Sequence, residues 1–254
     1  MTSTHRLLTV SAALVSVTVS ASAARQVGRD GSIAQVGVVE GVVRLRSGEL
    51  PSPTQVRNTT DPDVCGPEQT LEDLIVSPTN RGVRDVVVAL AGVPREGEAR
   101  RGPQRLVLDN RGCRFDPHVA AAMLGDTIVA RNSDATLHTT HFYGALRGNL
   151  SMPQQGMQVL RVAQRTGMIS ILCDVHGWMK AYIAVYDHPF YEVTDRDGTF
   201  RIESVPTGDY IMEAWHEVLG TQQVRVRVES GRTTRVELEY AHPGTRTTAR
   251  SGMP

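Results

Sequence analysis

Short apolar runs, broken by Gly, Pro, Asn and Asp clusters, recur along almost the whole chain. "VGVVEGVVRLRSG", "DVVVALAGVP", "QRLVLDNRG", "DTIVARNSD", "THFYGAL", "QVLRVAQRTG", "MISILC", "AYIAVYDHP", "FRIESVPTGDY", "IMEAWHE", "QQVRVRVESG" and "TRVELEYAHP" each read as a strand. About a dozen strands at this spacing predict an all-β sandwich or barrel. "QVRVRVES" and "TRVELEY" alternate cleanly, so each has one solvated face. "DPHVAAAMLGD" fits either a short helical turn or an edge strand. Almost nothing else reads as helix.

The N-terminus breaks the pattern. His5 and Arg6 precede an apolar run from Leu7 to about Val19, and Ala21 and Ala23 stand at the small-residue positions of a cleavage site. Residues 1–23 are therefore expected to be a secretory signal peptide, too short and wrongly flanked for a membrane anchor. No later run approaches the roughly 18 apolar residues that span a bilayer. The expected location is periplasmic or secreted. Residues 242–254, "HPGTRTTARSGMP", read as a disordered tail. Pro94–Gln104, "PREGEARRGPQ", reads as a charged linker with a solvated face.

Charge changes the picture little. Basic and acidic residues balance at 27 each, so no global field recruits nucleic acid or anionic lipid. The oligomeric state is left open. No G-x-S-x-G elbow and no H-x-x-E ligand pair occur, so nothing points to a hydrolase or any other enzyme. "DRDG" fails as a calcium loop: with Asp195 at position 1, Phe200 stands where Gly is needed and Pro206 where the bidentate Glu belongs. It reads as a turn. "AWHE" sets Trp215 and His216 on opposite faces of one strand, a packed Trp and a surface His.

The three cysteines change it more. An oxidising compartment permits disulfides, and three thiols cannot all pair within the chain. Cys65 in "DPDVCGPEQ" and Cys113 in "DNRGCRFDP" lie in turn-rich polar contexts without metal-ligand spacing, and form the natural pair. Cys173 is left over, in "CDVHGWMK" with His176 and Met179. Thiolate, imidazole and thioether form a soft set that favours copper over magnesium or calcium and suits zinc poorly. A blue-copper electron-transfer centre takes two His, one Cys and a distant axial Met. "RNSDATLHTTHFYG" supplies His138 and, three residues on, His141.

"NSDATLH" followed by "CDVHGWM" resembles the cupredoxin family: the N-x5-H of plastocyanin-like proteins, then the C-x2-H-x2-M loop of amicyanin. "GDTIVARN" is similar to that family's strand leading into the first histidine. The resemblance covers residues 104–187 and implies a Greek-key cupredoxin sandwich with copper held by His138, Cys173, His176 and Met179. It implies that Asn132 braces the first-ligand turn and that the His176 ring edge, near the surface in related proteins, is the electron exit to a redox partner protein. Thr139 stands where Asn is common after the first histidine. Asp174 follows the thiolate as an unusual negative neighbour, Trp178 shields the site or meets a partner, and His141 is a further candidate ligand. "TDRDGTF" and "VPTGDY" in residues 188–241 resemble the carboxypeptidase regulatory-like domain, a smaller transthyretin-like β-sandwich. Residues 35–95 look like the first strands of the same module, split by the copper domain. Electron transfer is the leading expectation. A copper store, chaperone or sensor, and a metal-free β binding module, are the alternatives.

Overall fold

The computed structural model describes residues 35–71, 73–93 and 101–241. The expected signal peptide, most of the charged linker and the C-terminal tail lie outside them. The first described stretch runs β1 (Val36–Leu45), β2 (Thr54–Arg57), α1 (Pro62–Cys65), β3 (Glu68–Leu71) and β4 (Val87–Ala91). The next runs β5 (Arg105–Asn110), β6 (Phe115–Asp116), β7 (Val119–Met123), β8 (Thr127–Asn132), β9 (His138–Gly144), β10 (Gly148–Met152), β11 (Gln158–Val162), β12 (Gly167–Leu172) and β13 (Lys180–Tyr186). The last runs β14 (Tyr191–Val193), β15 (Thr199–Pro206), β16 (Gly208–His216), β17 (Gly220–Val228) and β18 (Thr233–Tyr240). The chain is nearly all β, and the four-residue α1 is the one α-helix among the described residues.

Two sandwiches result. Strands from both ends of the chain build the first, from the sheets β15-β1-β18 and β14-β4-β16-β17. Its core holds Val39, Val43, Leu45, Leu90, Phe200, Ile202, Met212, Leu238 and Tyr240. Strict alternation in β18 gives the burial pattern expected of one solvated face, with Val236, Leu238 and Tyr240 inward. Gly41 lies where β1 runs between its two partners; a Cβ there would stand 2.1 Å from Val236 O and 2.7 Å from the Phe200 ring. The "DRDG" turn takes the backbone through Gly198 at φ 73°, while the Asp195 carboxylate accepts from Asp197 and Thr199 N–H.

The second sandwich uses only the middle stretch. A five-stranded sheet, β10-β9-β12-β13-β7, faces a four-stranded one, β11-β8-β5-β6. "DPHVAAAMLGD" resolves as the edge strand β7, parallel to β13. The core includes Leu108, Phe115, Ile128, Phe142, Met152, Ile169, Ile171 and Ile183. Each fully buried side chain of this size contributes roughly 1.5–3 kcal/mol.

Apolar and ionic contacts join the sandwiches. Val87, Val119 and Ala184 pack together, with Tyr182 edge-on to Trp215 at 5.2 Å between centroids. His216 is 2 % exposed, and its Nδ1 accepts from Val218 N–H at 3.1 Å. The packed tryptophan is as expected, with half-buried Trp215 against the neighbouring sandwich, but the expected surface histidine is corrected: His216 faces inward. Arg101 grips both oxygens of buried Asp126, at 2.7 and 2.6 Å, and donates to Tyr191 Oη at 2.8 Å. Lys180 Nζ reaches Glu217 at 2.7 Å and Asp73 at 3.1 Å, and Glu217 also bonds His118.

Candidate metal centre

One end of the second sandwich gathers the sequence-predicted donors. His138 is the first residue of β9, after a tight turn that leaves β8 at Asn132. Asn132 is fully buried. Its Nδ2 donates to Thr136 O and Met152 O, each at 2.8 Å, and its Oδ1 accepts from Asp134 N–H at 2.9 Å. That network sets where the turn delivers His138. Cys173 follows the end of β12, and the 173–179 loop is closed by backbone bonds from Cys173 N to Met179 O (3.2 Å) and Met179 N to His176 O (2.9 Å).

Three donor atoms converge. Cys173 Sγ lies 3.9 Å from His138 Nδ1 and 3.7 Å from His176 Nδ1, and the two Nδ1 atoms are 3.1 Å apart. Exposure is 4 % for Cys173 and 0 % for both histidines. His138 Nε2 faces the Asp134 carboxylate at 2.9 Å, and His176 Nε2 faces Asp61 at 3.3 Å. A carboxylate can only accept, so each ring donates from Nε2 and turns Nδ1 inward towards Cys173. Two buried imidazole Nδ1 atoms and a thiol sulfur converge, at separations that fit one cation. Ligand bonds of about 2.0 Å to imidazole and about 2.3 Å to thiolate, spread at about 120°, place donors roughly 3.5–3.7 Å apart. The observed separations bracket that.

The thiol is prepared for this. Burial opposes its ionisation, but the His138 imidazole and the N–H groups of Thr139, His176 and Val175 outweigh it and bring Cys173 down to about 6. Thr139 N–H approaches Sγ at 3.4 Å, and Thr139 Oγ1 accepts from Asp174 N–H at 2.7 Å. Thr139 thus ties the two ligand segments together. Met179 is 2 % exposed and packs in the same apolar cluster as Cys173.

Other candidates stand apart. His141 lies on the opposite face of β9 from His138, with Nδ1 3.0 Å from Asp174 Oδ1 and 2.9 Å from Tyr143 Oη. The structure does not bring it into the donor cluster. The Asp174 carboxylate points outward and also accepts from Asn149 Nδ2 at 2.5 Å. Trp178 tilts against the His176 ring at 5.1 Å between centroids and donates from Nε1 to Cys113 O at 3.0 Å.

The cap over His176 is what the sequence reading missed. Cys65 and Cys113 form a disulfide, as their contexts led one to expect. Its position was not expected: Cys65 Sγ lies 3.6 Å from His176 Nε2, and α1 carries Asp61 and Cys65 across the ring. The expectation of a near-surface His176 edge is corrected here, because that edge lies beneath α1 and the disulfide. No spacing rule links "DPDVC" to a loop more than a hundred residues later; only the odd cysteine count drew attention to it. Asp134, within N-x5-H, was legible as a turn residue but not as the partner of His138.

Comparisons with known proteins give the following. Residues 176–252 match the β-sandwich domain of ER membrane protein complex subunit 7. This match covers the stretch whose motifs resemble a carboxypeptidase regulatory-like domain, and that resemblance finds no support. Among curated proteins, none matches. Several solved structures are similar to part of the chain. A methionine-to-alanine mutant of amicyanin in its Cu(I) form is 20 % identical, over 39 % of this chain and 98 % of that one, with TM-score 0.30. A purple cupredoxin from Nitrosopumilus maritimus is 17 % identical, over 33 % of this chain and 99 % of that one, with TM-score 0.28. The copper-containing nitrite reductase from Thermus scotoductus SA-01 is 20 % identical with TM-score 0.30, and the match covers 38 % of this chain but only 25 % of the reductase. Likenesses at these scores establish neither family nor function.

Proposed function

We propose that this is an exported copper protein that passes single electrons to and from a redox partner protein. The observation that carries the reading is the convergence of His138 Nδ1, Cys173 Sγ and His176 Nδ1, all buried and all within 4.8 Å of one another. Copper bound there would supply a one-electron Cu(II)/Cu(I) couple. This chain's residues supply a donor frame that resists rearrangement. Asn132 fixes the turn before His138, Asp134 and Asp61 fix the two ring orientations, and Trp178 and the disulfide pack against His176. Met179, buried in the same apolar cluster as Cys173, would add a weak thioether donor.

A store or chaperone must release its metal. Donors exposed by no more than 4 %, beneath a covalent strap, favour retention. The test is to load the mature protein with Cu(II) and record optical and paramagnetic spectra. An intense thiolate-to-copper band that disappears in Cys173→Ala is the expected result. No band, with wild type and Cys173→Ala alike, overturns the reading. Ready loss of Cu(I) to a competing chelator would favour storage instead.

A further inference from the structure

Two surfaces flank the donor cluster, and they differ. On the His176 side the ring edge is closed. Asp61, the Cys65–Cys113 disulfide and Trp178 all lie against it, and His176 is 0 % exposed. On the Cys173 side the chain runs straight to the surface. Asp174, one peptide bond from the thiol residue, is bonded to His141, and the His141 ring stacks on Tyr143 at 4.2 Å with 25° between planes. Tyr143 is 42 % exposed.

The strands explain why these groups form one ledge. In β9, Thr139, His141 and Tyr143 alternate with buried Thr140 and Phe142 and so share the outer face. Leu172 and Asn149 stand directly across from His141 on the two neighbouring strands. Residues opposite each other point to the same side. Leu172, 42 % exposed, therefore lies beside the stacked rings. The ledge is one aromatic pair, one leucine, one amide and one carboxylate.

We infer that this ledge is the docking face for the redox partner, and that electrons cross through Asp174, His141 and Tyr143 rather than over the His176 edge. The inference rests on the copper reading above. In the transfer the Cu(I) site is oxidised by one electron and the partner is reduced by one, with no bond made or broken. Covalent and hydrogen bonds carry tunnelling better than gaps do, and here they run from Cys173 to an exposed ring. The ledge fits a partner whose contact surface is apolar around its cofactor, with a positive group for Asp174. A face so poor in charge predicts a rate that depends weakly on salt.

The probe is tris(phenanthroline)cobalt(III), a one-electron oxidant with apolar planar ligands and positive charge. In the copper-loaded full-length mature protein, Tyr143→Ala and the uncharged Leu172→Ser should each slow oxidation by this probe at least tenfold. The absorption band and reduction potential should stay unchanged. Val64→Ser, on the exposed surface of α1 on the capped side, should change the rate less than twofold. Independently of rate, the redox-inactive chromium(III) analogue should broaden the NMR signals of Tyr143, Leu172 and Asn149 in the Cu(I) protein. Rates that ignore both ledge substitutions, or broadening centred on Asp61 and Val64, would overturn the docking face. A ledge substitution that abolishes the band reports on folding, and the other substitution then decides. A wild-type protein without the band sinks the copper reading itself; an intact band with an indifferent ledge sinks only this inference.

Discussion

Cys65 Sγ lies 3.6 Å from His176 Nε2, on the far side of the ring from Nδ1, which faces Cys173 Sγ at 3.7 Å. One imidazole therefore separates the free thiol from the disulfide. The strap that links the N-terminal stretch to the second sandwich is also the lid on a candidate ligand.

Removing the strap tests the first of these roles. The bond closes a loop with a sequence separation of 48. In the chain-entropy account that is worth about 4 kcal/mol. The double variant Cys65→Ala/Cys113→Ala should melt roughly 10 °C lower at this chain size. Scanning calorimetry checks it, and hydrogen exchange at His176 should quicken as the lid loosens.

Asp61 tests the second. Its carboxylate accepts from Thr136 Oγ1 at 2.6 Å, the main cause of its lowered pKa, and stands 3.3 Å from His176 Nε2. A negative charge there favours the more positive oxidation state. Asp61→Asn should raise the reduction potential of the copper-loaded protein by tens of millivolts, since the group is part-exposed and screened. Cyclic voltammetry reads the shift, and a lowered potential would contradict the assigned polarity.

Asp134 orients the other ring. It accepts from Gly112 and Cys113 N–H, both at 2.8 Å, and so is itself held when it receives His138 Nε2–H. Partners of this kind typically account for 10–100-fold in metal affinity. Asp134→Ala should weaken copper binding by about that factor in a chelator competition. Binding unchanged within twofold would mean that the turn alone orients the ring.

The junction between the sandwiches should respond to pH. His118 donates from Nδ1 to Lys180 O at 3.1 Å and from Nε2 to Glu217, so both nitrogens need protons. Burial opposes the cation, but Glu217 outweighs it and raises the pKa above 6.5. Stability from this group is complete below 6.5 and is lost as pH rises through the raised folded value. Burial likewise opposes the Glu217 carboxylate, and His118 and Lys180 bring it below 4.5. Its contribution is complete above 4.5 and lost as pH falls through the lower folded value. Melting temperature should therefore be highest between these limits, and His118→Gln should flatten the alkaline side. Melts across a pH series decide it.

Much of this was legible because it is local. Strand alternation marked "QVRVRV" and "TRVELEY", which became β17 and β18 with one face inward. The turn around Asn132 was readable because the side chain bonds its own neighbours Thr136 and Asp134. What stayed hidden depends on which elements meet. Trp215 was read as packed, and it is, but His216 was read as a surface residue because alternation says only that the two differ, and it takes the neighbouring sandwich to leave both faces buried. The lid on His176 needs α1 brought across more than a hundred residues by a pairing that counting can predict but not place.

The second sandwich lies, in sequence, between the two parts of the first, and this bears on the order in which a growing chain could close them. Every strand of the second sandwich lies between residues 105 and 186, whereas β1 pairs with β15 and β18, and β4 with β14 and β16. A chain emerging from its N-terminus can complete the donor-bearing sandwich while Val39, Val43, Val88 and Leu90 still lack their partners. Val88 faces Glu192 across β4 and β14, so that pairing can form only once the whole insert has brought its own two ends together. A chain folding from its N-terminus would then carry a completed candidate copper sandwich on an unsealed base, with the valines of β1 and β4 awaiting strands that lie after residue 186.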